Sequence, residues 1–248
     1  MITDVIPHAL LIFLILLRCG GICLTAPILG SKAVSVTIRV VAAMFFAVAI
    51  YLGLADKGFT PPTTMGALMT MALTETALGA LAGLTARLTL DMAMVAGQVA
   101  GFPMGLGFSQ MADPFNGVPS TSLGRLYTMA ALAFAVALGL HREAVMWLYE
   151  STTQWPPGSS VDFTAMIPKM MEMICDSVAM GVRLAFPVLA SVTFGHITLG
   201  IVGKTAPQLN LSALGFSIAI LCGGAALFIS VNPASEIAAR MAVSTLTR

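Results

Sequence analysis

Three ionisable side chains stand inside one apolar stretch, Glu75, Arg87 and Asp91, and any chemistry would be sought there first. Arg87 and Asp91 are four residues apart, so on a helix they face each other across one turn. A charge at the centre of a bilayer costs about 2.5 to 3.5 kcal/mol on insertion scales, so three in one hydrophobic helix imply that it does not lie in lipid throughout. They read as subunit contacts or structural pairing, as the wall of a solvated cavity, or as a proton path. Contacts or pairing are preferred, because no histidine lies nearby and Glu75 is several turns from Asp91, too far for a relay.

The other reactive residue types make no constellation. Cys19 and Cys23 fall one helical turn apart, but no second pair or histidine cluster completes a metal or redox site, and Cys175 and Cys222 also sit in apolar surroundings. All four read as small buried apolar groups. His8, His141 and His196 are far apart in sequence. His196, inside an apolar run, is the one to test, with a satisfied core histidine as the preferred reading. No HExxH, GxSxG or phosphate-binding loop is present, and the glycines of GFPMGLG do not follow a strand as a dinucleotide fingerprint requires. The expectation is a chain that is not an enzyme and needs neither cofactor nor metal.

The elements that carry these residues are unusually apolar. Of 248 residues 58% are hydrophobic and 9% charged, whereas soluble domains run near a quarter charged. So few charges cannot coat a water-facing surface, which leaves a polytopic membrane protein or a subunit buried in a larger assembly. A net charge of +1, with no run of Lys and Arg, gives no case for nucleic acid.

A membrane span needs about 20 mostly apolar residues. Residues 5–17 form an apolar run with Asp4 ahead of it and Arg18 behind it, which fits a retained first helix better than a signal peptide. After a break at 25–31, residues 33–54 make a second stretch, with Arg39 inside it. DKGFTPP at 56–62 is a turn, and Thr63 or Thr64 can cap a helix over 65–100. A further helix is expected from Ser120 or Thr121 to about Glu150, with Trp147 and Tyr149 placed for an interfacial belt. STTQWPPGSS at 151–160 is the most loop-like segment.

Asp162 should cap the next helix, on which Glu172, Asp176 and Arg183 recur at one-face spacings before Pro187 kinks or ends it. Residues 184–203 read as packed interior. KTAPQLNL at 204–211 is a second polar break, and 211–231 is the cleanest span. Asn232, Pro233 and Glu236 carry the signals of a new tail helix. Basic residues do not gather in alternate loops, so orientation stays open.

Residues 101–119, GFPMGLGFSQMADPFNGVP, are too apolar for a surface loop and too broken for a helix. Four glycines and three prolines there hold Met104, Leu106, Phe108 and Met111 on a flexible backbone. Non-helical backbone at membrane depth survives only where protein buries it or where it lines a water-filled path. This predicts a constriction or plug hinged at Gly105 and Gly107, with an ordinary helix-loop-helix connection as the alternative.

Taken together, these residues resemble the FliR family, flagellar type III export-gate subunits related to the SctT proteins of injectisomes. The resemblance spans nearly the whole chain. It is carried by Arg18 followed by Ala26-Pro27, the Glu75 helix with Gly79 and Gly83, Gly97-Gln98-Val-Ala-Gly101, MGLGFSQMADP, the PPG turn at 156–158, and Ala206-Pro207-Gln208-Leu209-Asn210. In LSALGFS, Ser217 stands where flagellar members are expected to carry a proline. Flagellar membership is kept ahead of the injectisome alternative, and a small secondary transporter using Glu75, Arg87 and Asp91 is the alternative from another class.

The resemblance implies an all-α subunit present as one copy with FliP-like and FliQ-like subunits, alongside FlhA-like and FlhB-like components. It would form a pore-containing core of the flagellar basal body in the bacterial inner membrane, raised toward the periplasmic side, through which unfolded proteins pass. Residues 1–160 would be a FliP-like part and 161–248 a FliQ-like helical hairpin with a tail. By the same resemblance the loop plugs the closed pore, and Pro207, Gln208 and Asn210 form a structural break near the subunit interface.

Overall fold

A computed structural model describes residues 2–31, 34–53, 59, 61–62, 64–107, 121–159, 161–205 and 211–247. Their ordered elements are all helical: α1 (Ile2–Thr25), α2 (Val36–Gly53), α3 (Met65–Leu90), α4 (Met92–Gly101), α5 (Ser122–Ala137), α6 (Leu140–Gln154), α7 (Phe163–Thr205) and α8 (Leu211–Leu246). Among the described residues five helical stretches are long and apolar enough to cross a membrane: Ile6–Thr25, Val36–Gly53, Met65–Gly101, Phe163–Thr205 and Leu214–Leu246. The chain is thus an all-α, polytopic membrane-type protein, as its composition requires.

The chain divides into two compact units. The first comprises Met1–Leu88, Gly139–Met173 and Ala242–Arg248, the second Thr89–Leu138 and Ile174–Met241. In the first, Ile15, Cys19, Ile22 and Cys23 of α1 bury against Ala43, Ala47 and Ile50 of α2, Ala82 of α3 and Leu148 of α6. Cys19 and Cys23 are here small apolar groups in a core, whereas Cys175, also expected to be buried, is exposed, and Cys222 is half-buried.

The approach of α1 to α3 is set by glycine. A Cβ on Gly21 would lie 2.6 Å from the carbonyl oxygen of Thr76, one on Gly79 would collide with the carbonyl oxygen of Arg18, and one on Gly83 would collide with Thr25 Oγ1. Gly79 and Gly83 form the small-xxx-small spacing by which apolar helices come close without a hydrophobic driving force between them.

In the second unit, α4 meets α5 the same way. A Cβ on Gly97 would sit 2.6 Å from the Leu123 carbonyl oxygen and 2.7 Å from Gly124 Cα. Thr121 caps α5, its Oγ1 accepting from the Gly124 N–H at 3.0 Å. The long α7 and α8 pair through Ser191 Oγ, which donates to the Cys222 carbonyl at 2.9 Å, and through Gly195, which rests on Cys222 and Ile218. Tyr127 is fully buried, with its hydroxyl 3.3 Å from Ser230 Oγ.

Several boundaries differ from the sequence expectation. The helix expected over 65–100 is interrupted at Asp91, whose own backbone stays right-handed (φ −65, ψ −10). The helix expected from Thr121 to Glu150 breaks at Gly139, where φ is +85, a value that glycine alone adopts without strain. Asp162 does cap α7: its Oδ1 accepts from the Thr164 hydroxyl and from the Thr164 N–H at 2.9 Å, and these bonds hold its carboxyl below the usual carboxylate range.

Pro187 neither ends nor divides α7, and Pro233 lies inside α8 rather than opening a separate tail helix. A proline removes one backbone donor but is tolerated in a membrane helix whose neighbours answer the freed groups. Nor is 184–203 packed all round. Ala185, Val188, Val192 and Leu199 are buried, while Phe186, Phe194, Ile197 and Ile201 on the other face are exposed, Phe194 by 73%.

The glycine contacts predict a sharp contrast. Gly79→Ala should lose about 1 to 3 kcal/mol or more of stability, as overpacking against backbone does, whereas Gly66→Ala, with no atom within 4 Å of the added carbon, should be neutral or stabilising. Thermal unfolding of both variants in detergent checks it; equal midpoints would remove the close-approach argument.

Candidate functional site

Glu75 points out of α3 into the first unit's interior and meets Arg18 of α1. Both side chains are 1% exposed, and Arg18 Nε donates to Glu75 Oε2 at 2.6 Å. Taking two charges out of water costs several kcal/mol each, so such a pair persists only if the remaining donors and acceptors are also answered.

They are. Arg18 Nη1 donates to Ser151 Oγ at 3.2 Å, and Nη2 donates to the Trp155 carbonyl at 3.0 Å. Ser151 in turn donates to the Leu148 carbonyl at 2.9 Å. The second carboxylate oxygen, Oε1, accepts from the Gly158 N–H at 3.1 Å.

That last bond depends on the PPG turn. The Ser159 N–H returns to the Pro156 carbonyl at 2.9 Å, with Pro157 and Gly158 as the central residues and Gly158 at φ +86. This is the type II pattern, proline first and a positive-φ glycine second. It aims the Gly158 N–H at the carboxylate.

With both oxygens of Glu75 engaged by buried partners, the arrangement is suited to holding α1, α3 and the end of α6 together rather than to passing a proton or cation. Of the alternatives raised for Glu75, structural pairing is the one its geometry fits. The other charges named with it stand outside this network: Arg87 and Arg183 are exposed, and Asp91 is half-buried where α3 gives way to α4.

The described part of the glycine-rich segment, residues 101–107, lies in the second unit. Beyond α4 the chain turns tightly, the Gly105 N–H donating to the Phe102 carbonyl at 3.0 Å and the Leu106 N–H to the Gly101 carbonyl at 3.1 Å. Gly105 has φ +76, so the turn itself demands glycine there.

Met104 is 3% exposed and lies on Gly223 of α8, where a Cβ would come within 2.6 Å of its Sδ. Leu106 is half-buried. Gly107 is buried and lies beside the ring of Phe102, itself 64% exposed. Phe108 and Met111 lie outside the described residues, as do Pro207, Gln208 and Asn210.

Sequence reasoning missed the seat of Met104 on Gly223 and the partnership of Arg18, Ser151 and the Gly158 N–H with Glu75. A signal for the latter was available: Arg18 is a lone base in one apolar helix and Glu75 a lone acid in its neighbour, and buried charges of that kind require partners.

Comparison with known proteins bears on the same segments. Residues 9–243 match the family model described as bacterial export proteins, family 1. The Flagellar biosynthetic protein FliR of Bacillus subtilis (strain 168) is 29% identical over 228 residues, covering 88% of this chain and 84% of that protein. The proteins of the same name from Caulobacter vibrioides and Escherichia coli (strain K12) are 24% and 27% identical, covering 88% and 84% of this chain and 87% and 79% of their own lengths.

Breaking the buried pair should be costly whichever side is removed. Arg18→Met and Glu75→Leu each leave a buried charge unanswered and should lose about 3 to 5 kcal/mol of stability, while the double variant that combines these two substitutions should lose less than either. Unfolding midpoints of the three variants in detergent test this; additive losses in the double variant would show that the two residues do not act as a pair.

Proposed function

The chain belongs to the bacterial export proteins, family 1, as a member of the FliR family, and we propose that it lines the channel of the flagellar export apparatus and closes it with its glycine-rich segment. It is a flagellar biosynthesis protein of that apparatus, built of helices apolar enough for a membrane. The substrates that pass in this reading are unfolded flagellar proteins. The flagellar name carried by these relatives supports the flagellar reading over the transporter and injectisome alternatives.

The observation that carries the closing role is Met104 seated on Gly223, held on a turn that only a glycine at 105 can make. In this reading Gly105 and Gly107 are the hinges, and Leu106, Phe108 and Met111 supply the rest of the gasket. Methionine suits that task because its unbranched, polarizable side chain repacks around varied shapes. Lifting the Met104 side chain from Gly223 costs dispersion contacts, each individually small.

The partners follow from the same reading: FliP-like and FliQ-like subunits in a hetero-oligomer, with FlhA-like and FlhB-like components beside it. The exposed apolar faces of α2, α7 and α8 support burial against lipid or such neighbours; Phe45, Phe194 and Phe228 are among the residues left uncovered. Arg87, Asp91 and Arg183 are proposed subunit-contact or structural charges. Residues 1–160 are taken as FliP-like and 161–248 as FliQ-like, a division made by analogy with the family that does not follow the two compact units; the α7 and α8 hairpin supports its second half.

Two measurements test this. Replacing residues 104–111 by a shorter Gly/Ser loop, or crowding the seat with Gly223→Val, should raise ion conductance of the assembled complex several-fold; unchanged conductance in both would remove the plug. Native mass spectrometry after co-expression with FliP-like and FliQ-like subunits should show one copy of this chain in a stable hetero-oligomer, and a monomer or homodimer indifferent to them would overturn the partnership.

A further inference from the structure

A cavity of about 460 Å³ opens in the first unit, walled by α1 and the turn after it, α2, α3 and α6. Ile22, Ala26, Phe46, Ala86, Leu140 and Leu148 make its lining almost wholly apolar. Its volume falls in the range of small-molecule sites, and a cavity without polar partners does not hold ordered water. Two of its walls, α1 and α2, are apolar enough to cross a membrane. An open apolar cavity in such surroundings takes either a lipid acyl chain or the apolar side chains of a partner, and its rim discriminates between them.

The rim is different in kind. His141 and Arg142, both exposed, stand on its edge in the first turn of α6, which starts at the positive-φ Gly139. Arg142 places Nε and Nη2 on Glu143 Oε1 at 3.3 and 2.9 Å, while its Nη1 makes no bond among the described residues. An imidazole donor, a guanidinium edge and the positive end of a helix thus border the apolar cavity, a combination complementary to a phosphate joined to an acyl chain. Glu143 offsets part of that charge, so discrimination by headgroup should be modest.

We propose that this cavity holds an acyl chain of an anionic phospholipid whose phosphate lies at His141 and Arg142. The site is independent of the glycine-rich segment, and the closing role proposed for that segment stands or falls without it.

The test is lipid binding by the purified full chain in mild detergent, read by native mass spectrometry with phosphatidylglycerol or phosphatidylcholine. One retained phosphatidylglycerol is expected, favoured about twofold to fivefold over phosphatidylcholine, the upper end being what one unpaired basic side chain at about 1 kcal/mol gives. The exposed substitution Arg142→Gln should abolish the preference but keep lipid bound, and Ala144→Phe should expel it by filling the cavity.

A second readout is quenching of Trp147, isolated in a Trp155→Phe chain and packed on the core cluster that supplies Ile22, Cys23 and Leu148 to the cavity wall; brominated phosphatidylglycerol should quench it more than brominated phosphatidylcholine. Equal binding and equal quenching by the two lipids would overturn the proposal, as would retention of lipid by a folded Ala144→Phe chain. Loss of the lipid from the wild-type chain on assembly with partner subunits would also overturn it, and would give the cavity to a partner helix instead.

Discussion

A charge pair sealed from water dictates how the first unit is built. Arg18 and Glu75 are 57 residues apart in sequence, and neither can be buried unless the other arrives with correct geometry. Their leftover donors and acceptors then fix two further segments: the end of α6, through Ser151 and the Trp155 carbonyl, and the PPG turn, through the Gly158 N–H. One electrostatic requirement thus places α1, α3, α6 and a loop. Dispersion alone specifies such an arrangement poorly, because apolar helices slide past one another with little penalty when lipid is as apolar as their neighbours.

Backbone approach makes the pair reachable. Gly21, Gly79 and Gly83 let α1 and α3 come so near that the carbonyl of Arg18 itself lies against Gly79. At that separation the guanidinium reaches Glu75 without spanning a gap that water could enter. Glycine spacing and charge placement are therefore one device, and the helix-interior cost of glycine, about 1 kcal/mol each relative to alanine, is offset by the contact it permits.

Much of the architecture was legible in the sequence, and the parts that were not share a cause. Helix existence followed from apolar runs, as did a helix start at Ser120 or Thr121, and the cap at Asp162 followed from local chemistry that acts within two residues. Pro187 and Pro233 were misjudged because their effect depends on neighbours that answer the lost hydrogen bond, and local rules cannot see those neighbours. The break at Gly139 was hidden because a single glycine inside an apolar run is as compatible with a helix as with a left-handed turn. The exposure of Phe194 and Ile201 was hidden for a related reason: apolar character signals exclusion from water, not which of lipid, partner or core provides it. At the candidate sites, Glu75, Gly105 and the PPG turn each stood out by type, but Glu75 was grouped with Arg87 and Asp91 of the same apolar stretch and given no partner of its own. Its partner was the one nearest in space.

The two units hold their key residues by opposite means. In the first, every atom of a buried ion pair is answered by a directional bond, and removing any of them leaves a charge exposed to low dielectric, so the arrangement has one stable form. In the second, Met104 rests on Gly223 through contacts that have no preferred direction. A thioether that leaves a glycine surface abandons no hydrogen bond and uncovers no charge. It forfeits only packing, which another apolar side chain can restore. A subunit that must keep its helices in register while a segment gives way to passing chains needs both kinds of contact. Their segregation here, directional bonds around Glu75 and soft apolar contact at Met104, is what the channel-closing role would require.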